Sequence, residues 1–153
     1  MNTKDEKLIN TMIESFGNIG ESLGVNRTLG QIYALLYFSD TPLAPTQISE
    51  TLGISKGNVS INIRKLEEWN ALKKVWRKGR ARSLYKANEN IEEIFFDRIK
   101  SISEKRIKYL KQVMAGIRHS PDENFTKIKQ IKDFVKKLDF LLKNFDSIKS
   151  FLK

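Results

Sequence analysis

The sequence predicts a mainly α-helical fold with one small β-hairpin, and three observations support this prediction. Apolar residues recur every three or four positions along most of the chain, as they do on the buried side of helices. Two helical segments, at 45–52 and 55–70, are separated only by a tight turn at Gly53. The segment 72–87 then predicts two strands around a Lys78-Gly79 turn. Helix, turn, helix and basic hairpin follow one another in a winged helix-turn-helix domain.

Two helices are predicted before this motif. The first spans residues 4–23, ends at Gly24, and has apolar residues three or four positions apart, namely Leu8, Met12, Phe16, Ile19 and Leu23. The second spans about 28–39, and we expect its apolar residues to lie beneath the helix-turn-helix. The Asp40-Thr41-Pro42 stretch ends it, and Leu43 is predicted to add a short third strand to the hairpin.

The helix-turn-helix has recognisable helix starts. Pro45 suits the first position of a helix, where its missing N–H costs nothing, although Ala44 before it is a poor N-cap. Ser55 is a good N-cap for the second helix. In that helix the residues Val59, Ile63 and Leu66 define the predicted buried stripe.

The opposite face of the second helix predicts contact with a DNA major groove. Asn side chains can bind adenine through two hydrogen bonds, Ile61 can contact a thymine methyl group, and Arg or Lys can bind guanine or phosphate. The alternative is a merely solvated face, but an exposed Ile61 among polar residues favours contact. The predicted DNA-binding residues are Ser55, Lys56, Gly57, Asn58, Ser60, Ile61, Asn62, Arg64 and Lys65.

Positive charge is concentrated in the same region. Residues 55–88 have ten Lys and Arg against two Glu, a net charge of +8, while the whole chain has +10. Such a local concentration indicates a surface that binds a polyanion. The predicted wing cations Arg77, Lys78, Arg80 and Arg82 would follow phosphates or enter the minor groove. The alternative is an edge hairpin kept soluble by charge. Trp69, Trp76 and Tyr85 are expected to be packing residues.

The segment 57–66, GNVSINIRKL, with Trp69 and the strand Lys73-Lys74-Val75-Trp76, resembles the MarR superfamily of winged-helix transcription regulators. It is most similar to the GbsR-like branch (glycine-betaine-synthesis regulators), and to an archaeal member of it. The resemblance covers residues 10–115. It implies that the recognition helix lies in the major groove with the wing beside it. Many wings of this family contain an Asp-x-Arg element, and Gly79-Arg80-Ala81-Arg82 lacks the acid.

The helices after Asn88 predict a dimer. Their apolar residues are near heptad spacing, and a DNA-binding domain of about 60 residues cannot cover them. A helical hairpin that packs on its own domain is the alternative. The predicted domains are 1–24, an N-terminal dimerisation helix; 25–88, the winged helix-turn-helix; and 89–153, a C-terminal dimerisation region. The predicted dimerisation residues are Leu8, Met12, Phe16, Ile128, Val135, Leu138, Leu142 and Phe145.

The resemblance also implies a homodimer that binds a roughly palindromic operator, with half-sites ~34–36 Å apart. A small-molecule effector would bind between the dimerisation helices and the winged helix, lined by Phe16, Tyr33, Tyr37 and Phe38. Ordinary core packing is the alternative for these rings.

Other functions find no support in the sequence. Cysteine is absent and His119 is the single histidine, so neither a metal site nor a nucleophile with a His partner is predicted. No nucleotide-binding motif is present, so we expect no enzyme and no cofactor. No apolar run suggests a membrane span or a secretion signal, which predicts a cytoplasmic protein. Two alternatives to a regulator are a sequence-independent architectural DNA-binding protein and a winged-helix protein-interaction module.

Overall fold

Helices make up most of the computed structural model, which describes residues 3–76, 83–116 and 124–151. The elements in chain order are α1 (Thr3–Ser22), α2 (Arg27–Tyr37), α3 (Pro45–Leu52), α4 (Lys56–Glu68), β1 (Leu72–Val75), β2 (Leu84–Ala87), α5 (Ile91–Gly116), α6 (Asn124–Lys143) and α7 (Phe145–Phe151). The predicted fold class, mainly α with a small β wing, is confirmed. The chain divides into two units, Met1–Ile94 and Phe95–Lys153, which are described separately.

Small residues let α1 and α2 pack closely. A Cβ placed on Gly30 would overlap the backbone carbonyl group of Phe16 and lie 2.7 Å from its carbon. Gly17 and Gly20 of α1 are also packed against the segment that begins α2. The α1 helix ends at Gly24, which has a φ of 73° and therefore adopts the left-handed conformation common after helix ends. Close helix contact therefore explains three of the glycines.

The core of this unit lies where α2, α3 and α4 meet. Ile32, Leu36, Ile48, Val59 and Leu66 are each at most 2% exposed. The predicted stripe on α4 is therefore buried, and its burial fixes which side of α4 faces solvent.

The wing is a two-stranded antiparallel sheet in which Leu72 pairs with Ala87 and Val75 with Leu84. Leu43 joins its other side, because the N–H of Leu43 donates to the carbonyl of Tyr85 and the N–H of Tyr85 donates back, both at 2.9 Å. The predicted third strand is thus present as a single bridge. It ties the base of the wing to the segment that enters α3.

Asn88 connects three segments at the end of the wing. Its backbone N–H donates to the Ala71 carbonyl at 2.8 Å, and its Nδ2 donates to the Asn70 carbonyl at 2.9 Å. Its own carbonyl accepts a hydrogen bond from the Tyr33 hydroxyl at 2.9 Å. Burial, with a smaller contribution from Tyr37, raises the pKa of the Tyr33 phenol, so this hydroxyl remains a donor at neutral pH.

The Tyr33 hydrogen bond gives a direct test of this connection. Tyr33→Phe should lower the free energy of unfolding by about 1 kcal/mol, because a part-buried carbonyl loses its donor. Urea denaturation followed by circular dichroism would measure the change. Tyr37→Phe is the matched control, since the Tyr37 hydroxyl has no hydrogen-bond partner among the described residues, and it should change stability by less than about 0.5 kcal/mol. Equal effects of the two variants would contradict the prediction.

In the second unit, α5 runs antiparallel to α6 and α7. Lys111 of α5 pairs with Asp139 at 2.6 Å, and Lys100, which lies earlier in α5, pairs with Asp146 at 2.5 Å. The single helix predicted from 124 onward is interrupted at Asn144, whose Nδ2 donates to the Phe140 carbonyl at 2.8 Å and competes with the helix backbone. None of the described helices is long and apolar enough to cross a membrane.

Candidate nucleic-acid interface

The α4 helix presents a polar face on the side opposite its buried stripe. Ser55 caps its start by accepting a hydrogen bond from the Asn58 N–H at 3.2 Å. Ile61 is 57% exposed, which is unusual for an isoleucine on a polar face. The residues exposed with it are Ser55, Lys56, Gly57, Ser60, Arg64 and Lys65. Most of the predicted contact residues of this helix therefore lie on one solvent-facing side.

Asn62 is an exception, and its predicted place on the exposed face is wrong. It is 0% exposed. It follows Val59 by three residues and precedes Leu66 by four, so helix geometry places it beside the buried stripe. Its Nδ2 donates to both the backbone carbonyl and the side-chain Oδ1 of Asn58. Asn58 itself is half-buried at the edge of the exposed face.

The base of the wing carries further cations. Lys73, Lys74 and Lys86 are exposed on the two strands. Trp76 is 79% exposed, so the expectation that it packs is wrong for this residue, whereas Tyr85 is 8% exposed and lies in the core as expected. The predicted wing-tip residues Arg77, Lys78, Arg80 and Arg82 lie outside the described residues.

A cleft of about 370 Å³ separates the start of α3 from the wing, lined by Pro45, Thr46, Lys56, Ser83 and Tyr85. Ala44 provides no side-chain acceptor to the first turn of α3, although its own N–H donates to Gln47 Oε1 at 2.9 Å. The positive end of α3, one ammonium group and the three hydroxyls of Thr46, Ser83 and Tyr85 therefore surround a space open to solvent. Thr46 and Ser83 were not predicted as site residues; the poor N-cap at Ala44 was the available signal for the start of α3.

The four aromatic residues predicted to line an effector pocket contact one another. The rings of Phe16 and Tyr33 are 6.2 Å apart, those of Tyr33 and Tyr37 are 5.9 Å apart, and those of Tyr37 and Phe38 are 5.3 Å apart. Tyr33 is 7% exposed and the other three are half-buried. The rings of Phe16 and Phe38 are also in contact, 6.5 Å apart, so the four rings form one closed cluster where α1 meets α2.

The predicted dimerisation residues differ in how far the single chain leaves them accessible. Leu8 is exposed at 62%, and Met12 and Phe16 are half-buried on α1. Val135 is 2% exposed, so it is already buried within one chain and is not available to a partner. The other four predicted residues, Ile128, Leu138, Leu142 and Phe145, are half-buried.

A different set of apolar residues is exposed on the same helices. We call Ile131, Phe134, Leu141 and Ile148 the exposed α6–α7 seam, and each is between 42% and 59% exposed. They are separated by three, seven and seven residues, which is heptad spacing. Ile131 and Ile148 belong to the apolar seam that the sequence pattern predicts for these helices, whereas Phe134 and Leu141 were not predicted. Their heptad spacing from Ile148 was the signal that could have identified them.

Comparisons with known proteins agree with this fold. A model of the MarR family matches residues 23–82. The HTH-type transcriptional regulator YvaV of Bacillus subtilis (strain 168) is 28% identical over 83 residues, which are 54% of this chain and 47% of that protein. The HTH-type transcriptional repressor GbsR of the same organism is 24% identical over 90 residues, 59% of this chain and 49% of that protein. The chain thus spans about half the length of these curated relatives.

A solved structure, the crystal structure of a transcriptional regulator, superimposes with a TM-score of 0.69 at 15% identity and covers 93% of this chain and 97% of its own. This likeness establishes the fold. The fold and the arrangement of α3, α4 and the hairpin define a winged helix-turn-helix protein. Over residues 23–82 the chain is thus similar to the MarR family, and the two relatives are HTH-type transcriptional regulators.

Proposed function

We propose that this chain is a sequence-specific, double-stranded DNA-binding transcription regulator, and specifically a repressor. The observation that most favours this function is the exposed face of α4, where Ile61 is 57% exposed among hydroxyl and cationic side chains. An apolar side chain in that setting suits a thymine methyl group, and the neighbouring polar groups suit base edges. The helix would lie in the major groove.

The cations around α4 supply affinity without sequence preference. Lys56 lies in the cleft beside the start of α3, where a phosphate would meet an ammonium group, hydroxyls and the positive end of a helix. The wing cations Arg77, Lys78, Arg80 and Arg82 would add contacts to phosphates or to the minor groove.

The protein would act as a homodimer. The exposed α6–α7 seam and the exposed residues Tyr109 and Val113 of α5 are apolar surfaces that a second copy could cover. Two copies related by a twofold axis would present two α4 helices to a pseudo-palindromic operator, with half-sites ~34–36 Å apart.

The proposal also covers the branch, the origin, the location and the effector of the protein. Membership of the GbsR-like branch is supported by the 24% identity to GbsR, and archaeal origin and cytoplasmic location stay predictions. A small-molecule effector beside Phe16, Tyr33, Tyr37 and Phe38 would have to prefer one spacing of the two α4 helices, because equal affinity for both spacings shifts nothing.

Two other functions make different predictions. A sequence-independent architectural protein needs only phosphate contacts, which leaves the exposed Ile61 unexplained. A protein-interaction module does not require the net charge of +8 that is concentrated in residues 55–88.

Selection of bound fragments from a random duplex library at ~150 mM salt, where non-specific phosphate binding is suppressed, distinguishes the three. We expect enrichment of an inverted repeat with half-sites one DNA turn apart. Recovery of DNA without an enriched motif would favour the architectural function, and no recovery at all would favour a protein partner or a required effector.

The role of Lys56 can be tested separately. Lys56→Ala should weaken binding to all sequences alike and reduce the slope of log affinity against log salt by about 1.8 for the dimer, because each of its two protomers loses one phosphate contact. Titrations at several salt concentrations on the selected operator and on unrelated DNA would measure both. Lys7→Ala, which removes an exposed lysine from α1, should leave the slope unchanged. A loss confined to the operator would show instead that Lys56 contacts a base.

A further inference from the structure

The side chains of Asn58 and Asn62 form a pair on α4. Asn62 Nδ2 lies 2.9 Å from the backbone carbonyl oxygen of Asn58 and 2.7 Å from its Oδ1. Asn62 is fully buried, whereas Asn58 is half-buried at the edge of the face proposed to contact DNA. One amide thus lies inside the domain and holds another amide at its surface.

Chemistry fixes the orientation of both amides. A backbone carbonyl oxygen can only accept a hydrogen bond, so the Asn62 atom beside it must be the NH2 nitrogen. That nitrogen can only donate, so the Asn58 atom at 2.7 Å must be the oxygen. The oxygen of Asn58 is therefore occupied on the inner side. Its NH2 group has no hydrogen-bond partner among the described residues and is the end left for an external acceptor.

We propose that Asn62 is a positioning residue that turns the NH2 group of Asn58 toward the DNA bases. This inference rests on the proposed function and names the chemistry of one of its base contacts. Adenine recognition by Asn needs both a donor and an acceptor at the surface, whereas one lone pair of Asn58 Oδ1 is used by Asn62, which holds this oxygen on the inner side. An outward NH2 group favours bases whose exocyclic group is a keto oxygen, namely guanine O6 or thymine O4. It disfavours cytosine and adenine, whose exocyclic amino groups are donors themselves.

The buried position of Asn62 is consistent with such a role. Its Oδ1 is buried and has no hydrogen-bond partner among the described residues. A buried polar atom without a partner destabilises a fold. An aliphatic residue would fill the same place beside Val59 and Leu66 without that cost. The amide group of Asn62 is therefore not needed to fill this place, and its hydrogen bonds instead orient Asn58.

The test compares the base preferences of variants by selection from the random duplex library. The operator position at which Asn58→Ala loses preference identifies the base that Asn58 contacts, and we expect guanine or thymine there in the unmodified protein. Asn62→Leu should release the Asn58 amide to use both of its ends. The ratio of adenine to guanine at that position should then rise by about threefold to tenfold, as expected for one gained hydrogen bond.

Other positions of the operator provide the internal control, because a general loss of structure would affect them all. Asn62→Ala serves as a second variant if Asn62→Leu does not fold, and the comparison of the unmodified protein with Asn58→Ala does not depend on either. An adenine preference at the Asn58 position would overturn the inference, as would an unchanged preference in a folded Asn62 variant. Absence of any enriched motif in the unmodified protein would overturn the proposed function as well, so the two failures are distinguishable.

Discussion

Gly30→Ala should lower the free energy of unfolding of the first unit by about 3 kcal/mol, at the upper end of what overpacking usually costs. The added Cβ would overlap the carbonyl group of Phe16, and its third neighbour, the Gly17 Cα, lies at 3.1 Å. These are backbone atoms of the facing helix, which cannot move aside as the end of a flexible side chain can. Relief therefore requires α1 to shift away from α2, with loss of the contact between the rings of Phe16 and Tyr33.

Urea denaturation of the purified protein would measure this effect. Gly57→Ala is the matched control, since a Cβ at Gly57 meets only the Ser55 hydroxyl at 4.0 Å. Because alanine favours a helix over glycine, this variant should stabilise the protein by about 0.5–1 kcal/mol. A Gly30→Ala variant as stable as the unmodified protein would mean that α1 does not pack on α2 as closely as described.

The double variant Phe134→Glu with Leu141→Glu should convert a dimer into a monomer. Both residues belong to the exposed α6–α7 seam and are 59% and 50% exposed, so the single chain does not need them for its core. Four carboxylates, two from each copy, would be buried without partners if two seams met. Since a monomer engages only one half-site, affinity for a two-site operator should fall by about 100-fold or more.

Analytical ultracentrifugation would report the oligomeric state, and titration on operators with one or two half-sites would report the affinity. Lys137→Glu introduces a carboxylate at an exposed position of α6 outside the seam and should leave the dimer intact. A dimeric double variant would place the interface elsewhere, for example on Leu8 and Met12 of α1. A folded monomer that keeps full affinity would argue against cooperative binding by two copies.

The helix-turn-helix was predictable because its signals are local. Pro45 begins α3, Gly53 follows its end with a φ of 64°, and Ser55 caps α4, each at the position that the sequence indicated. The buried stripe Val59, Ile63 and Leu66 follows from helical spacing alone. Such features depend on residues within one or two turns of each other.

What the sequence did not predict depends on neighbours distant in the chain. Helical spacing puts Asn62 beside the buried stripe, but because its side chain is polar, only how far the core extends around α4 decides that it is buried. Val135 was predicted to contact a partner but is buried within its own chain. Periodicity could not distinguish the two, because two apolar stripes run along α6 and either could face inward. Trp76 is apolar in type, yet it lies just beyond the last residue of β1 and is largely exposed.

The bridge between Leu43 and Tyr85 has a consequence for the behaviour of the protein at high concentration. Both backbone polar groups of Tyr85 are used by Leu43, on the side of β2 away from β1. Among the described residues, none forms a backbone hydrogen bond with the outer edge of β1, and an open edge can pair with the same edge of another molecule. Lys73 and Lys74 lie exposed along it, so two such edges would meet with like charges opposed. These lysines therefore protect the protein from edge-to-edge aggregation, whichever DNA contacts they also make.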